Sequence, residues 1–264
     1  MKDVQSQPDD RGVDIQKVGV KQLFLPLNIE EKGGGYQAVT ASIRASVGLP
    51  RDFKGTHMSR FLEVLEGWSK RAISTRQVSA ILQDLSRGLG AGSAQLELRF
   101  RYFVKKKAPV SGKESLMGYT CFFAGEMNGA EYDFIQGAEV PVLSLCPCSR
   151  EISAYGAHNQ RTMIRARLRP RHMFWLEDLI GALEGQGSSP IYPLLKREDE
   201  KYVTEHSYMN PKFVEDILRD CVLFLRRDPR AGWFEVECES LESIHDHSAF
   251  AHHLEGEETS GRKT

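Results

Sequence analysis

The chain has 264 residues, with 35 Lys and Arg against 36 Asp and Glu for a formal net charge of −1, 41% hydrophobic and 27% charged. That is the make-up of a globular protein able to bury one large core or two of ordinary size. Balanced charge excludes a global field that recruits nucleic acid or anionic lipid, and no apolar run approaches the ~20 residues of a membrane helix.

Residues 1–15 are polar and read as a flexible arm without the apolar core of a secretory signal. Val39, Ala41, Ile43, Ala45 and Val47 alternate with Thr40, Ser42, Arg44 and Ser46, the period-two pattern of a half-buried strand. The period then changes. Met58, Phe61, Leu62 and Leu65, followed by Val78, Ile81, Leu82 and Leu85, predict two amphipathic helices, the second ended by Gly88 and Gly90. Alternation returns from Ala94 to Val104, and a lysine-rich turn over 105–113 leads to a strand through Tyr119–Phe123.

Residues 131–145 read as extended. Ile164, Ala166 and Leu168 alternate with Arg165, Arg167 and Arg169, and Leu176, Leu179, Ile180 and Leu183 then mark a helix. Lys196 to Glu205 reads as a charged loop, and a second helix is expected to open at Asn210-Pro211 with Val214, Ile217, Leu218, Cys221, Val222 and Leu225 on its buried side. Phe234, Val236 and Cys238 alternate with Glu235, Glu237 and Glu239 as a closing strand, and 256–264 reads as a disordered tail. Strands, a helix pair and strands thus occur twice, over 16–130 and 131–255. This order predicts the α+β class, antiparallel sheets with paired helices on one face, and open sheet edges predict closure by oligomerisation.

The five cysteines are 121, 146, 148, 221 and 238. Cys121, Cys221 and Cys238 sit in apolar surroundings and read as core residues of a protein from a reducing cytoplasm. Cys146-Pro-Cys-Ser-Arg-Glu-Ile-Ser-Ala-Tyr-Gly-Ala-His158-Asn-Gln-Arg161 is different, because it places two thiols and an imidazole in one short segment. Thiolate and neutral imidazole are ligands for a borderline-soft ion such as zinc, and the same groups are the parts of a thiol nucleophile with a nearby base. In an extended segment Cys146 and Cys148 would project to one side, and a turn at Tyr155-Gly156-Ala157 would bring His158 back towards them. The bland alternative is two buried thiols and a hydrogen-bonded core histidine. Three local donors fall one short of a closed structural zinc site, which leans towards a catalytic ion with an open position.

Other candidates are weaker on spacing alone. Arg161, Arg165, Arg167 and Arg169 share a strand face and must either pair with carboxylates or await an anion. His57 stands where the first helix starts, with backbone N–H groups able to meet an anion. Glu200 and Glu215 are not distinguished from neighbouring acids by pattern. Glu242, His245 and His247 follow the last expected strand, as tail residues or as acid/base groups.

The Cys146 to Arg161 segment resembles the signature of GTP cyclohydrolase I type IB. Four further blocks agree in order: Lys54-Gly-Thr-His-Met-Ser-Arg-Phe61, Pro193-Leu-Leu-Lys-Arg197, Asp199-Glu-Lys-Tyr-Val-Thr-Glu205 and Asn210-Pro-Lys-Phe-Val-Glu-Asp216. The resemblance implies a tunnelling fold in tandem modules, with chains closing into a barrel-like homotetramer that has its sites at subunit interfaces. It implies hydrolysis of GTP to 7,8-dihydroneopterin triphosphate and formate, the entry to pterin and tetrahydrofolate synthesis. One divalent transition metal per site (Zn, Mn or Fe) is expected at Cys146, His158 and Glu200, with Cys148 beside it. Glu215 is expected at the guanine edge, His57 and Arg161 at the substrate, and Glu242, His245 and His247 in proton transfer. Two rivals remain: a nitrile reductase of queuosine synthesis, on the same fold with a cysteine nucleophile and NADPH, and a zinc-stabilised binding module without catalysis.

Overall fold

A computed structural model describes residue 5 and residues 7–256. The expected tail over 257–264, and residues 1–4 and 6 of the expected arm, lie outside the described residues. Within the arm, Gln5, Gln7 and Asp9 exchange backbone hydrogen bonds with residues 52–55. The protein is a mixed α+β structure in two compact units, Met1–Arg101 with Phe122–Gln136, and Tyr102–Cys121 with Gly137–Thr264.

The first unit contains β1 (Ile15–Glu30), β2 (Tyr36–Leu49), α1 (Met58–Ser69), the two-residue β3 (Ala72–Ile73) and α2 (Gln77–Leu89), with parts of β4 (Ser93–Lys107), β5 (Glu114–Asn128) and β6 (Glu131–Leu145). β1 and β4 flank β2 and pair with it antiparallel. The expected alternation of β2 holds, with Val39, Ala41, Ile43, Ala45 and Val47 buried. β1 escapes a period-two reading for a local reason. Gln22 has φ 58° and the register slips between Val20 and Leu23, so half-buried Val18 and Val20 have opposite parity to Leu23, Leu25 and Leu27. Phe61, Leu65 and Trp68 of α1 are buried, whereas Met58 and Leu62, expected on that face, are exposed. Trp68 Nε1 donates to Asp84 of α2 at 3.1 Å. Gly90 ends α2 in the left-handed conformation at φ 62°, where glycine carries no Cβ penalty.

The second unit continues β4 to β6 and adds α3 (Pro147–Ile152), β7 (Asn159–Pro170), α4 (Leu176–Glu184), the short β8 (Ser189–Pro190), α5 (Arg197–Met209), α6 (Val214–Arg227), β9 (Ala231–Leu241) and β10 (Ser248–Glu255). β9 lies between β7 and β10 and pairs antiparallel with both; β8 pairs with β6. Val214, Ile217, Leu218, Cys221, Val222 and Leu225 form the buried face of α6, and each apolar side chain contributes roughly 1.5–3 kcal/mol by burial. The edge strand β10 follows the strand expected to close the chain. Its pattern is half-buried against exposed rather than buried against exposed, which hides it from hydrophobic alternation.

Two further expectations are corrected here. Lys196 to Glu205 is not a loop: Arg197–Met209 is helical, built from good helix formers and started by Asp199, which accepts the Lys196 N–H at 2.8 Å. Asn210 does not open the next helix but caps the end of α5, and α6 begins at Val214, four residues later, with Asp216 accepting the N–H of the N-cap Phe213 at 3.1 Å.

Candidate active site

The Cys146–His158 segment is closed on itself by backbone and serine hydrogen bonds. Cys146 N–H donates to the His158 carbonyl at 3.1 Å. Ser149 Oγ accepts the His158 N–H at 3.1 Å and donates to the Cys146 carbonyl at 3.3 Å, and Ser149 N–H donates to Cys146 Sγ at 3.4 Å. Gly156 makes the return possible at φ 73°, a conformation strained for any residue with a side chain. The expected turn therefore returns His158 to Cys146. The expected extended presentation of both sulfurs does not occur. Cys146 is the N-cap of α3 and half-buried, while exposed Cys148 lies within the helix, so the two thiols do not share the side of a strand. Pro147 in the first turn favours this start, since its missing N–H is not needed there.

His158 leads into β7. Its Nδ1 lies 2.9 Å from Gln160 Oε1, and Gln160 Nε2 donates to Glu242 Oε1 at 3.4 Å. Glu242 opens the β9–β10 loop, which also carries His245 and His247. Those two exposed rings stack at 5.1 Å, and His247 Nδ1 is 3.3 Å from Asp246 Oδ1. The structure thus gathers Cys146, His158 and Glu242 through Ser149 and Gln160.

Glu200 and Glu215 lie in the first turns of α5 and α6, exposed, with no side-chain partner among the described residues. The neighbour of each is anchored. Asp199 is fully buried and accepts N–H groups of Val110, Ser111 and Lys196, all at 2.8 Å, and the Ser111 hydroxyl at 2.6 Å. Burial opposes its ionisation, yet these four donors outweigh burial and hold its carboxyl well below the usual range. His57, the half-buried N-cap of α1, belongs to the first unit.

The arginine stripe resolves unevenly. Arg165 pairs with Glu237 at 3.0 Å and Glu239 at 2.8 Å, Arg167 pairs with Glu235 at 2.8 Å, and Arg169 lies over the Trp233 ring at 5.0 Å. Arg161 is exposed and has no partner among the described residues. Beside the return turn is a mainly apolar pocket of about 540 Å³, lined by Leu143, Leu145 and Ala157 and by Val203, Tyr208 and Met209 of α5.

Soft and borderline donors with an oriented imidazole suit a transition ion in chemistry. Among the described residues, however, no group of three or more His, Cys, Asp and Glu side chains stands close enough to hold one. Sequence patterns missed Ser149, Gln160 and Asp199. Only Asp199 had a readable signal, an acid three residues beyond a helix start.

The fold is shared with solved uricases. The match to uricase from Arthrobacter globiformis has a TM-score of 0.57 at 8% identity, covering 94% of this chain and 96% of that one. The match to urate oxidase from Bacillus sp. TB-90 has a TM-score of 0.52 at 9% identity, covering 92% and 100%. Such identities establish the fold alone. The family follows from sequence. The model for type I GTP cyclohydrolase folE2 matches residues 1–251. GTP cyclohydrolase FolE2 of Geotalea uraniireducens (strain Rf4) is 52% identical over 251 residues, 95% of this chain and 92% of that protein. FolE2 of Pseudothermotoga lettingae is 48% identical, covering 95% and 97%. The chain belongs to the type I GTP cyclohydrolase folE2 family and is a GTP cyclohydrolase of the folate pathway. No helix among the described residues is long and apolar enough to cross a membrane.

Proposed function

We propose that the chain opens GTP to 7,8-dihydroneopterin triphosphate and formate at a site centred on Cys146 and His158, with one divalent transition ion (Zn, Mn or Fe) held by these two residues and Glu200. The observation that carries this reading is the Cys146–Ser149–His158 clasp, which ties together the backbone positions that carry a thiol and an imidazole. When bound, the ion would supply the acidification of water that attack on guanine C8 requires at neutral pH. The residues do the rest. Glu215 accepts from guanine N1–H and the 2-amino group, two parallel donors for one carboxylate. Arg161, exposed and without a side-chain partner among the described residues, takes triphosphate oxygens. Glu242, His245 and His247 exchange protons during ring opening and reclosure. Cys148 flanks the site from α3.

A homotetramer with sites at subunit interfaces, closing tandem tunnelling-fold modules into a barrel, fits this reading. Ile152 is 85% exposed and Tyr155 94% exposed within the Cys146–His158 segment, and Met209 at the pocket rim is 71% exposed. Apolar side chains so placed call for cover by another chain. Five unbridged thiols suit a reducing cytoplasm. The test is metal analysis coupled to formate release from GTP, for the wild type, the chelator-stripped protein and Cys146→Ala. Loss of both metal and turnover in Cys146→Ala supports the reading, and full turnover by stripped protein overturns it. Unfolding on stripping would instead mark a structural ion.

A further inference from the structure

We infer that Gln160 is a positioning residue for His158, fixing which ring nitrogen carries the proton and which is presented for ligation. This rests on the proposal that His158 is a metal ligand. Gln160, the second residue of β7, stands two residues beyond His158, which precedes the strand, and the amide and the ring meet directly at 2.9 Å. Its amide has only one satisfactory orientation. Nε2 donates to Glu242 Oε1 at 3.4 Å, while Oε1 accepts the Ser243 hydroxyl at 3.4 Å and faces His158 Nδ1 at 2.9 Å. Rotated by half a turn, the amide would aim its carbonyl oxygen at a carboxylate, lone pairs against lone pairs. With Oε1 facing the ring, Nδ1 must carry the hydrogen. A neutral imidazole in that tautomer has its lone pair on Nε2, the nitrogen pointing away from Gln160.

The support beneath the amide is itself fixed. Ser144 Oγ donates to the Gln160 carbonyl at 3.4 Å, and the buried Thr162 hydroxyl donates to Ser144 at 2.8 Å and meets Ser240 at 2.5 Å. Gln160 therefore holds a set direction on a set backbone, and Glu242 acts on His158 through it. Partners that orient a ligating histidine in this way typically change metal affinity about 10–100-fold when lost.

The experiment measures cobalt(II) affinity of the full chain by competition with a chromophoric chelator, and reads the His158 tautomer by 15N NMR on histidine-labelled, metal-free protein. Gln160→Leu is expected to bind cobalt(II) about 10–100-fold more weakly and to lose the Nδ1–H signature, with thermal unfolding within a few degrees of wild type. The exchange Gln160→Glu with Glu242→Gln restores an acceptor at Nδ1 and a donor opposite it, and is expected to recover affinity. His158→Ala separates the two levels of the argument: wild-type cobalt(II) affinity in that variant refutes the ligand assignment itself. If His158→Ala abolishes binding while Gln160→Leu binds within twofold of wild type and keeps the Nδ1–H tautomer, the role of Gln160 is overturned. A loss in Gln160→Leu that the double exchange fails to recover overturns it too.

Discussion

The entry to α5 is clamped by a buried ion pair whose energetics can be worked from the structure. Lys106 Nζ lies 2.6 Å from Glu184 Oε1 and 2.5 Å from the Ile191 carbonyl, and 4.5 Å from the centre of the Tyr192 ring. The Lys106 and Glu184 side chains are 8% and 13% exposed, and the Tyr119 hydroxyl donates to the same Glu184 oxygen. Burial pulls the Lys106 ammonium below its ordinary pKa, with Glu184 opposing. Glu184→Gln keeps the shape and an acceptor for Tyr119 but strips the counter-charge. Removing one partner of a buried pair costs about 3–5 kcal/mol. The lysine can escape by releasing its proton at pH 7, which costs about 4.6 kcal/mol from an ordinary pKa near 10.4 and so caps the loss.

Urea unfolding at fixed protein concentration, on wild type, Glu184→Gln, Lys106→Met and the double variant, tests this. The double variant is expected to be more stable than Glu184→Gln alone, with a coupling of about 2 kcal/mol. The pH dependence has a definite sign. A lysine whose folded pKa lies below its unfolded value binds protons more tightly when unfolded, so stability rises with pH between the two values. That window should widen towards lower pH in Glu184→Gln. A cost below about 1 kcal/mol, or strict additivity in the cycle, would refute the reasoning.

Other outcomes follow from the same contacts. Arg161→Ala should raise KM for GTP with a smaller effect on kcat, whereas Arg165→Ala, already neutralised by Glu237 and Glu239, should change KM less than twofold in the same steady-state assay. The depressed pKa of Asp199 gives stability that is complete above an ordinary carboxyl pKa near 3.9 and is lost as pH falls towards the folded value. Asp199→Asn should flatten that acid limb in pH-dependent melting and lower turnover at pH 7 by loosening the turn that presents Glu200. Gly125→Ala should cost about 1–3 kcal/mol in urea unfolding, because its Cβ would stand 2.6 Å from Val78 Cγ1 and 2.9 Å from Leu82 Cδ1. Pairing it with Val78→Ala should cost less than the sum of the two single changes.

Elements with one buried face were legible in the sequence. β2, α2, β7, α4 and the apolar face of α6 announce themselves by period, because burial against a core forces apolar residues to recur at that period. Legibility failed where burial is not what makes the element. α5 buries only Asp199 and Ser207, so charge patterning and one cap specify it rather than an apolar stripe. β1 changes parity at a bulge, and β10 is an edge strand with no fully buried position. The site divides in the same way. Cys146 and His158 were visible because thiols and imidazoles are rare and were close together. Ser149 and Gln160 were not, since common residues acquire their roles from hydrogen bonds that only the folded return turn creates.

That division explains how a chain that gathers no three-donor cluster within the described residues can still present a prepared site. Lack of a partner does not itself select Glu200 and Glu215, because Glu151 and Glu198 also stand at exposed helical positions without a side-chain partner among the described residues. Glu200 and Glu215 each stand next to an anchored acid, a setting that Glu198 shares and Glu151 does not. Asp199 ties the first turn of α5 to Val110 and Ser111, and Asp216 closes the start of α6 on Phe213. In each case one acid is engaged, Asp199 by backbone N–H groups and the Ser111 hydroxyl and Asp216 by the Phe213 N–H and Arg219, while its neighbour keeps both oxygens free. A carboxylate on a fixed main chain loses only side-chain freedom when it meets a ligand, which is the economical way to build a site that another chain or a substrate completes. Cys146 and His158 follow the same rule, with Ser149 and Gln160 making the internal bonds that leave Nε2 outward.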